Sequence, residues 1–118
     1  MIRKKYCVDG AWLESKTEKW MPVTDSSTGA VIAEVPSCTQ DEVLAAIDAA
    51  DRAFSTWSQM SLSKRTQLLF HWRNVLMEHL EELTLLCARE LGKTLNEARG
   101  DVLKAIEPTE LACATPYL

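Results

Sequence analysis

Apolar residues change their spacing once along this chain, near residue 36. Before that point they fall in short runs broken by turn residues. After it they recur every three or four positions. Tyr6-Cys7-Val8 and Ala11-Trp12-Leu13 flank Asp9-Gly10, a strong two-residue hairpin signal. Trp20 to Thr24 and Ala30 to Val35 flank Asp25-Ser26-Ser27-Thr28-Gly29, a second turn in which Gly29 suits a positive φ. Residues 14–19 (ESKTEK) form a polar connection between the hairpins, and Pro36 closes the strand region.

Helical spacing then takes over. Thr39-Gln40-Asp41-Glu42 is a capping box: the Thr39 hydroxyl accepts from the Glu42 amide, and the Glu42 carboxylate reaches back. Val43, Ile47, Ala50, Phe54 and Trp57 follow on one helical stripe. Ser61 or Ser63 caps a second helix carrying Leu68, Leu69, Trp72, Val75, Leu76 and Leu80. A third, shorter helix holds Leu83, Leu86, Cys87 and Glu90, with Gly92 suited to its C-terminal cap. A fourth starts near Leu95 and carries Ala98, Val102, Ala105 and Ile106. Pro108 lacks a backbone donor, so a kink or an early end is expected there.

The predicted fold class is therefore α+β, mainly helical: two N-terminal β-hairpins followed by about four amphipathic helices. The expected organisation is a single partial domain over 1–118, with the hairpins in 1–36 and the helical segment in 39–118. Two hairpins cannot cover so many apolar faces, and isolated hairpins are marginal. The strands are expected to pair with a further segment or another chain. Residues 107–118 (EPTELACATPYL) are still apolar and helix-like where the sequence stops, so the chain reads as part of something larger.

Composition narrows the function classes. A hydrophobic fraction of 47% with 25% charged residues indicates a folded rather than a disordered chain. A net charge of −4 argues against nucleic-acid binding. The basic start Met1–Lys5 is not followed by an apolar run, so it is not a signal peptide. No apolar run approaches a membrane span, and the default location is the cytosol. Cys7, Cys38, Cys87 and Cys113 form no CxxC pair, and neither His71 nor His79 stands at metal spacing from one. They read as reduced, mostly buried thiols.

Candidate chemistry is sparse. Gly92-Lys93-Thr94 resembles the end of a phosphate-binding loop, but Cys87 stands where that loop needs its first Gly, and a helix precedes it instead of a strand. The structural reading is a helix cap followed by a capping Thr. Four glycines, none in a G-x-G-x-x-G array, give no dinucleotide fingerprint. Glu78, Glu81 and Glu82 read as solvated helix charges, and Trp12, Trp20, Trp57 and Trp72 as core or interface anchors.

A resemblance adds what the local patterns lack. Residues 6–12 (YCVDGAW) and 23–32 (VTDSSTGAVI) resemble the paired N-terminal signatures of NAD(P)-dependent aldehyde dehydrogenases. Ala53-Phe54-Ser55-Thr56-Trp57 is similar to that family's A-F-x-x-W. Glu90-Leu91-Gly92-Lys93-Thr94 and 97–102 (EARGDV) are similar to its E-x-G-K and E-A-x-G-E-V stretch. Within the family, 12–17 (WLESKT), Ala105-Ile106-Glu107 and Glu110-Leu111-Ala112 are most similar to the CoA-acylating methylmalonate-semialdehyde branch. Two positions depart from the pattern. The turn usually written N-P-x-T-G has no Pro here, and Lys104 stands where the branch carries an Arg that helps hold the substrate carboxylate. Lys keeps the charge but not the bidentate fork.

The resemblance implies the opening part of a coenzyme-binding domain, without its Rossmann sheet. The nucleophilic Cys, the general-base Glu and the nicotinamide-binding segments lie further along in the family, so it assigns no catalytic and no cofactor-binding residue here. NAD, with CoA in the acylating branch, belongs to the parent enzyme. Lys104 is its one candidate substrate residue. Backbone carbonyls of Val23 and Thr24 with the Glu90 carboxylate match positions that hold a monovalent cation in some members. The other reading of Glu90 is a helix end facing solvent, and that of Lys104 is an exposed side chain paired with Asp101 or Glu107. The implied role is the scaffold portion of an aldehyde-oxidising enzyme, not catalytic alone. The alternative is a free-standing interaction or oligomerisation module that lost catalysis. Expected partners are a second copy of the chain or the remainder of the enzyme, with no nucleic acid and no membrane.

Overall fold

The computed structural model describes residues 2–117. The chain divides into two compact units, Met1–Gln59 and Met60–Leu118.

Among the described residues the first unit contains four strands and one helix. Strands β1 (Tyr6–Val8) and β2 (Ala11–Leu13) pair antiparallel with Cys7 opposite Trp12. The turn between them places Asp9 at φ 52° and Gly10 at φ 74°. Two consecutive left-handed residues are what a tight hairpin of this hand requires. Strands β3 (Trp20–Thr24) and β4 (Val31–Pro36) form the second antiparallel pair, with the register slipping between Val23 and Thr24. Each hairpin is thus its own two-stranded sheet. Short pairings not evident from the pattern tie down the N-terminus: the Glu34 amide donates to the Ile2 carbonyl (2.9 Å) and the Lys4 amide to the Glu34 carbonyl (2.8 Å).

Helix α1 (Gln40–Trp57) begins at the predicted capping box, with both reciprocal bonds made. Its Ala46, Ala49, Ala50 and Ala53 face Cys7, Val8 and Asp9 across a groove of about 240 Å³. Small residues permit that approach. The larger stripe of Val43, Ile47, Phe54 and Trp57 stays exposed, Phe54 at 64%. Among the described residues the buried apolar ones of this unit are Ala33 and Ala49.

Glu42 also clasps the connection between the hairpins. Its carboxylate accepts from the Ser15 hydroxyl (2.7 Å), the Lys16 amide (2.8 Å) and the Thr39 amide (2.8 Å). These donors, the Lys16 amide foremost, pull its pKa from an ordinary 4.5 to about 2. A depressed carboxylate stabilises the fold above the unfolded value and loses that contribution as pH falls through the folded one. The wild-type chain should therefore melt above Glu42→Gln at neutral pH, and the gap should close between pH 4.5 and about 2. A gap that persists at pH 2 would show that the Glu42 charge is not what holds the clasp.

The second unit is helical: α2 (Leu62–Glu78), α3 (Leu80–Leu91), α4 (Leu95–Cys113) and a terminal 3₁₀ turn (Thr115–Tyr117). Of the two predicted caps for α2, Ser61 makes the bond, accepting from the Lys64 amide. Gly92 closes α3 at φ 66°, and Thr94 with Glu97 forms a second capping box that opens α4. Of the kink or early end expected at Pro108, the early end does not occur, and α4 runs on to Cys113. Burial on both sides of the proline, at Ile106 and Cys113, holds the two halves in one helix. The core comprises Leu80, Ala98, Ile106 and Cys113, with Ala98 wholly inaccessible. Buried Thr66 and Thr84 satisfy their hydroxyls on the carbonyls of Leu62 and Leu80 four residues back. Ion pairs Arg73–Glu110 (2.7 Å) and Arg99–Glu81 link α4 to α2 and α3.

Candidate functional site

The positions with candidate roles fall in both units. Val23 and Thr24 close β3 in the first, and Glu90 lies in the last turn of α3 in the second.

The turn after Thr24 is organised without proline. The Asp25 carboxylate accepts from the Ser27 (2.9 Å) and Thr28 (3.2 Å) amides, and its carbonyl accepts from Gly29 (2.7 Å). Gly29 takes φ 72°, as a turn of this kind needs. An Asx turn thus gives this segment rigidity without a proline. The register slip between Val23 and Thr24 interrupts the ladder at the two residues whose carbonyls are the candidate cation ligands. Among the described residues no cluster of three or more His, Cys, Asp or Glu side chains is placed to hold a metal.

The Gly92-Lys93-Thr94 segment is a helix–helix corner. Lys93 pairs with Asp101 on the next helix, which raises the Lys93 pKa and commits its ammonium. Thr94 and Glu97 are committed to the cap of α4, which holds the Glu97 carboxyl below its ordinary value. Each of these side chains thus has a partner within the corner itself.

Lys104 occupies an exposed position in the middle of α4. One of its two expected partners, Asp101, is paired with Lys93. Among the described residues Lys104 makes no ion pair, with Glu107 or any other carboxylate. Pro108 sits four residues on and cannot donate to the Lys104 carbonyl. The position therefore offers an uncommitted ammonium and, on the same residue, a carbonyl without its intrahelical donor. Pro108 was readable as a helix disturbance, but the carbonyl it releases at Lys104 becomes evident only once the helix is known to continue.

The named strands pair antiparallel, and the β4–α1 junction, residues 37–39, carries no glycine. A pyrophosphate needs a glycine-rich strand-to-helix turn. No helix among the described residues is long and apolar enough to cross a membrane. Trp12 (69% exposed), Trp57 and Trp72 lie on the surface of this chain.

Comparison with known proteins gives a consistent match. Residues 12–116 match the family described as the aldehyde dehydrogenase family. A malonate-semialdehyde dehydrogenase of Listeria monocytogenes is 42% identical over 118 residues, covering 99% of this chain and 24% of the relative. The crystal structure of methylmalonate-semialdehyde dehydrogenase from Oceanimonas doudoroffii superposes with TM-score 0.92 at 27% identity, over 99% of this chain and 24% of that one. An NADP-dependent enzyme of E. coli superposes at TM-score 0.85 and 35% identity, over 92% of this chain and 23% of that one. The chain thus spans about a quarter of the length of the relatives it matches.

Proposed function

This chain belongs to the aldehyde dehydrogenase family, and on that premise we propose that it is the N-terminal scaffold portion of a semialdehyde-oxidising enzyme, without catalysis of its own. The observation that carries this reading is coverage: the match takes in nearly the whole chain but only 24% of the curated relative. The parent enzyme would oxidise an aldehyde carrying a distal carboxylate with NAD, releasing the acyl group to CoA or water. Its thiol nucleophile, its general base and its dinucleotide site would belong to the part of the relatives that this chain does not span. The cytosol suits its reduced thiols.

The surface supports a scaffold role. Large apolar side chains are exposed in both units, among them Val43, Leu44, Ile47 and Phe54 in one and Leu85, Leu86, Leu91 and Leu95 in the other. The Nε of Arg65 is shielded from solvent with no hydrogen-bond acceptor among the described residues. Groups of both kinds are completed by further polypeptide.

Calorimetric titration of the chain with NAD should give no saturable heat, and its turnover of malonate-type semialdehydes should equal the blank. Turnover abolished by a single point substitution, or saturable NAD binding, would overturn the reading. The same exposed surface implies that the isolated chain associates with itself. Sedimentation velocity should show a dimer or larger species, and a monodisperse folded monomer at high concentration would contradict this.

A further inference from the structure

The N-terminal unit carries a second feature, independent of the family's chemistry. Arg3, Lys4, Lys5, Glu14, Ser15 and Trp20 line a cleft of about 330 Å³. Three consecutive cations here contrast with a chain whose net charge is −4.

Arg3 is held in place. Its backbone is pinned to β4 through the Glu34 bonds on either side of it. Its Nε donates to the Glu34 carboxylate at 3.2 Å, and its guanidinium carbon stands 4.6 Å from the centroid of the Trp20 ring. Trp20 is itself anchored, its indole N–H donating to the Thr17 carbonyl at 3.2 Å. The terminal nitrogens of Arg3 make no bond among the described residues. Ordering a long cationic side chain before a ligand arrives removes part of the entropy lost on binding.

Lys5 lines the same cleft as Arg3. Its partner is Glu14 at 3.4 Å, a carboxylate 82% exposed and therefore weakly held. Lys4 makes no ion pair among the described residues. The Ser15 hydroxyl is committed, donating to Glu42 and accepting from the Thr17 amide, so recognition rests on the cations.

We propose that this cleft binds a small polyphosphate anion, with the pinned Arg3 guanidinium and the Lys5 ammonium as its two principal contacts and Lys4 adding charge. The volume accommodates more than a single phosphate group, and two cations lining one cleft match two linked phosphates. Glu14 competes for Lys5 and must yield when the anion enters.

Isothermal titration of the full chain with pyrophosphate at low salt tests this. The expected result is saturable one-to-one binding. Lys5→Gln should weaken it about three- to tenfold. Glu14→Gln should tighten it, because Lys5 is then released. Glu107→Gln changes the net charge equally but does not line the cleft, and should leave binding unchanged. These side chains are solvent-exposed, so each variant should keep the wild-type circular dichroism spectrum. Absence of saturable heat at millimolar pyrophosphate, or equal effects of Glu14→Gln and Glu107→Gln, would overturn the proposal.

Discussion

Replacing Ile106 with alanine should bring the helical unit close to unfolding. Ile106 is 3% exposed, and it and Leu80 are the large aliphatic side chains buried there among the described residues. Truncating such a residue costs about 2–5 kcal/mol, combining lost transfer energy with the cavity left behind. A unit of some 60 residues has roughly 3–9 kcal/mol of stability in total. The loss is therefore comparable to the whole, which is unusual for one substitution. Urea unfolding followed by circular dichroism should show the midpoint of Ile106→Ala collapsing toward zero denaturant. Leu111→Ala is the control. That side chain is 65% exposed on the same helix, and its removal should change stability by no more than about 0.5 kcal/mol. Similar midpoints for the two variants would mean that the Ile106 contacts do not hold the unit together.

The same contrast explains what could be read in advance. Turns and caps are local, so their residues announced them: Asp9-Gly10, Gly29, Gly92, the box Thr39–Glu42 and the capping Thr94 all do in the structure what their chemistry implied, while the reciprocal bond from Glu97 is added by the structure. Burial is not local. The stripe of Val43, Ile47, Phe54 and Trp57 correctly indicated a helix, but the face of α1 that meets the hairpin is the alanine face. Periodicity identifies an apolar stripe without stating what, if anything, covers it. The early end allowed for at Pro108 failed for a related reason. Its missing donor disfavours a helix interior, but packing at Ile106 and Cys113 overrides that local preference. The pairing of residues 2–4 with Glu34 had no sequence signal, because two hydrogen bonds between distant residues impose no pattern on either. Among the candidate site residues, Lys104 could be singled out by resemblance, whereas its freedom from Asp101 depended on where the Lys93 side chain went.

That freedom bears on the largest functional effect expected of any single side chain here. In a full-length enzyme carrying this segment, Lys104→Met should raise KM for a malonate-type semialdehyde, and leave an uncharged aldehyde such as propanal nearly unaffected. A charge-assisted hydrogen bond contributes about 1.5–3 kcal/mol, which corresponds to roughly a 10- to 150-fold loss in kcat/KM for the charged substrate. Lys104→Arg should preserve or improve recognition of the carboxylate, since a guanidinium adds a bidentate fork to the same charge. A purely structural lysine predicts a different pattern. Its loss would lower kcat/KM for both aldehydes alike, and Arg would rescue neither selectively. Lys104 is exposed and its neighbour Asp101 is occupied by Lys93, so no ion pair among the described residues depends on it and its replacement leaves the helix intact for the comparison. Steady-state kinetics of the two variants with both aldehydes separate the cases, and equal losses for malonate semialdehyde and propanal would assign Lys104 to the scaffold alone.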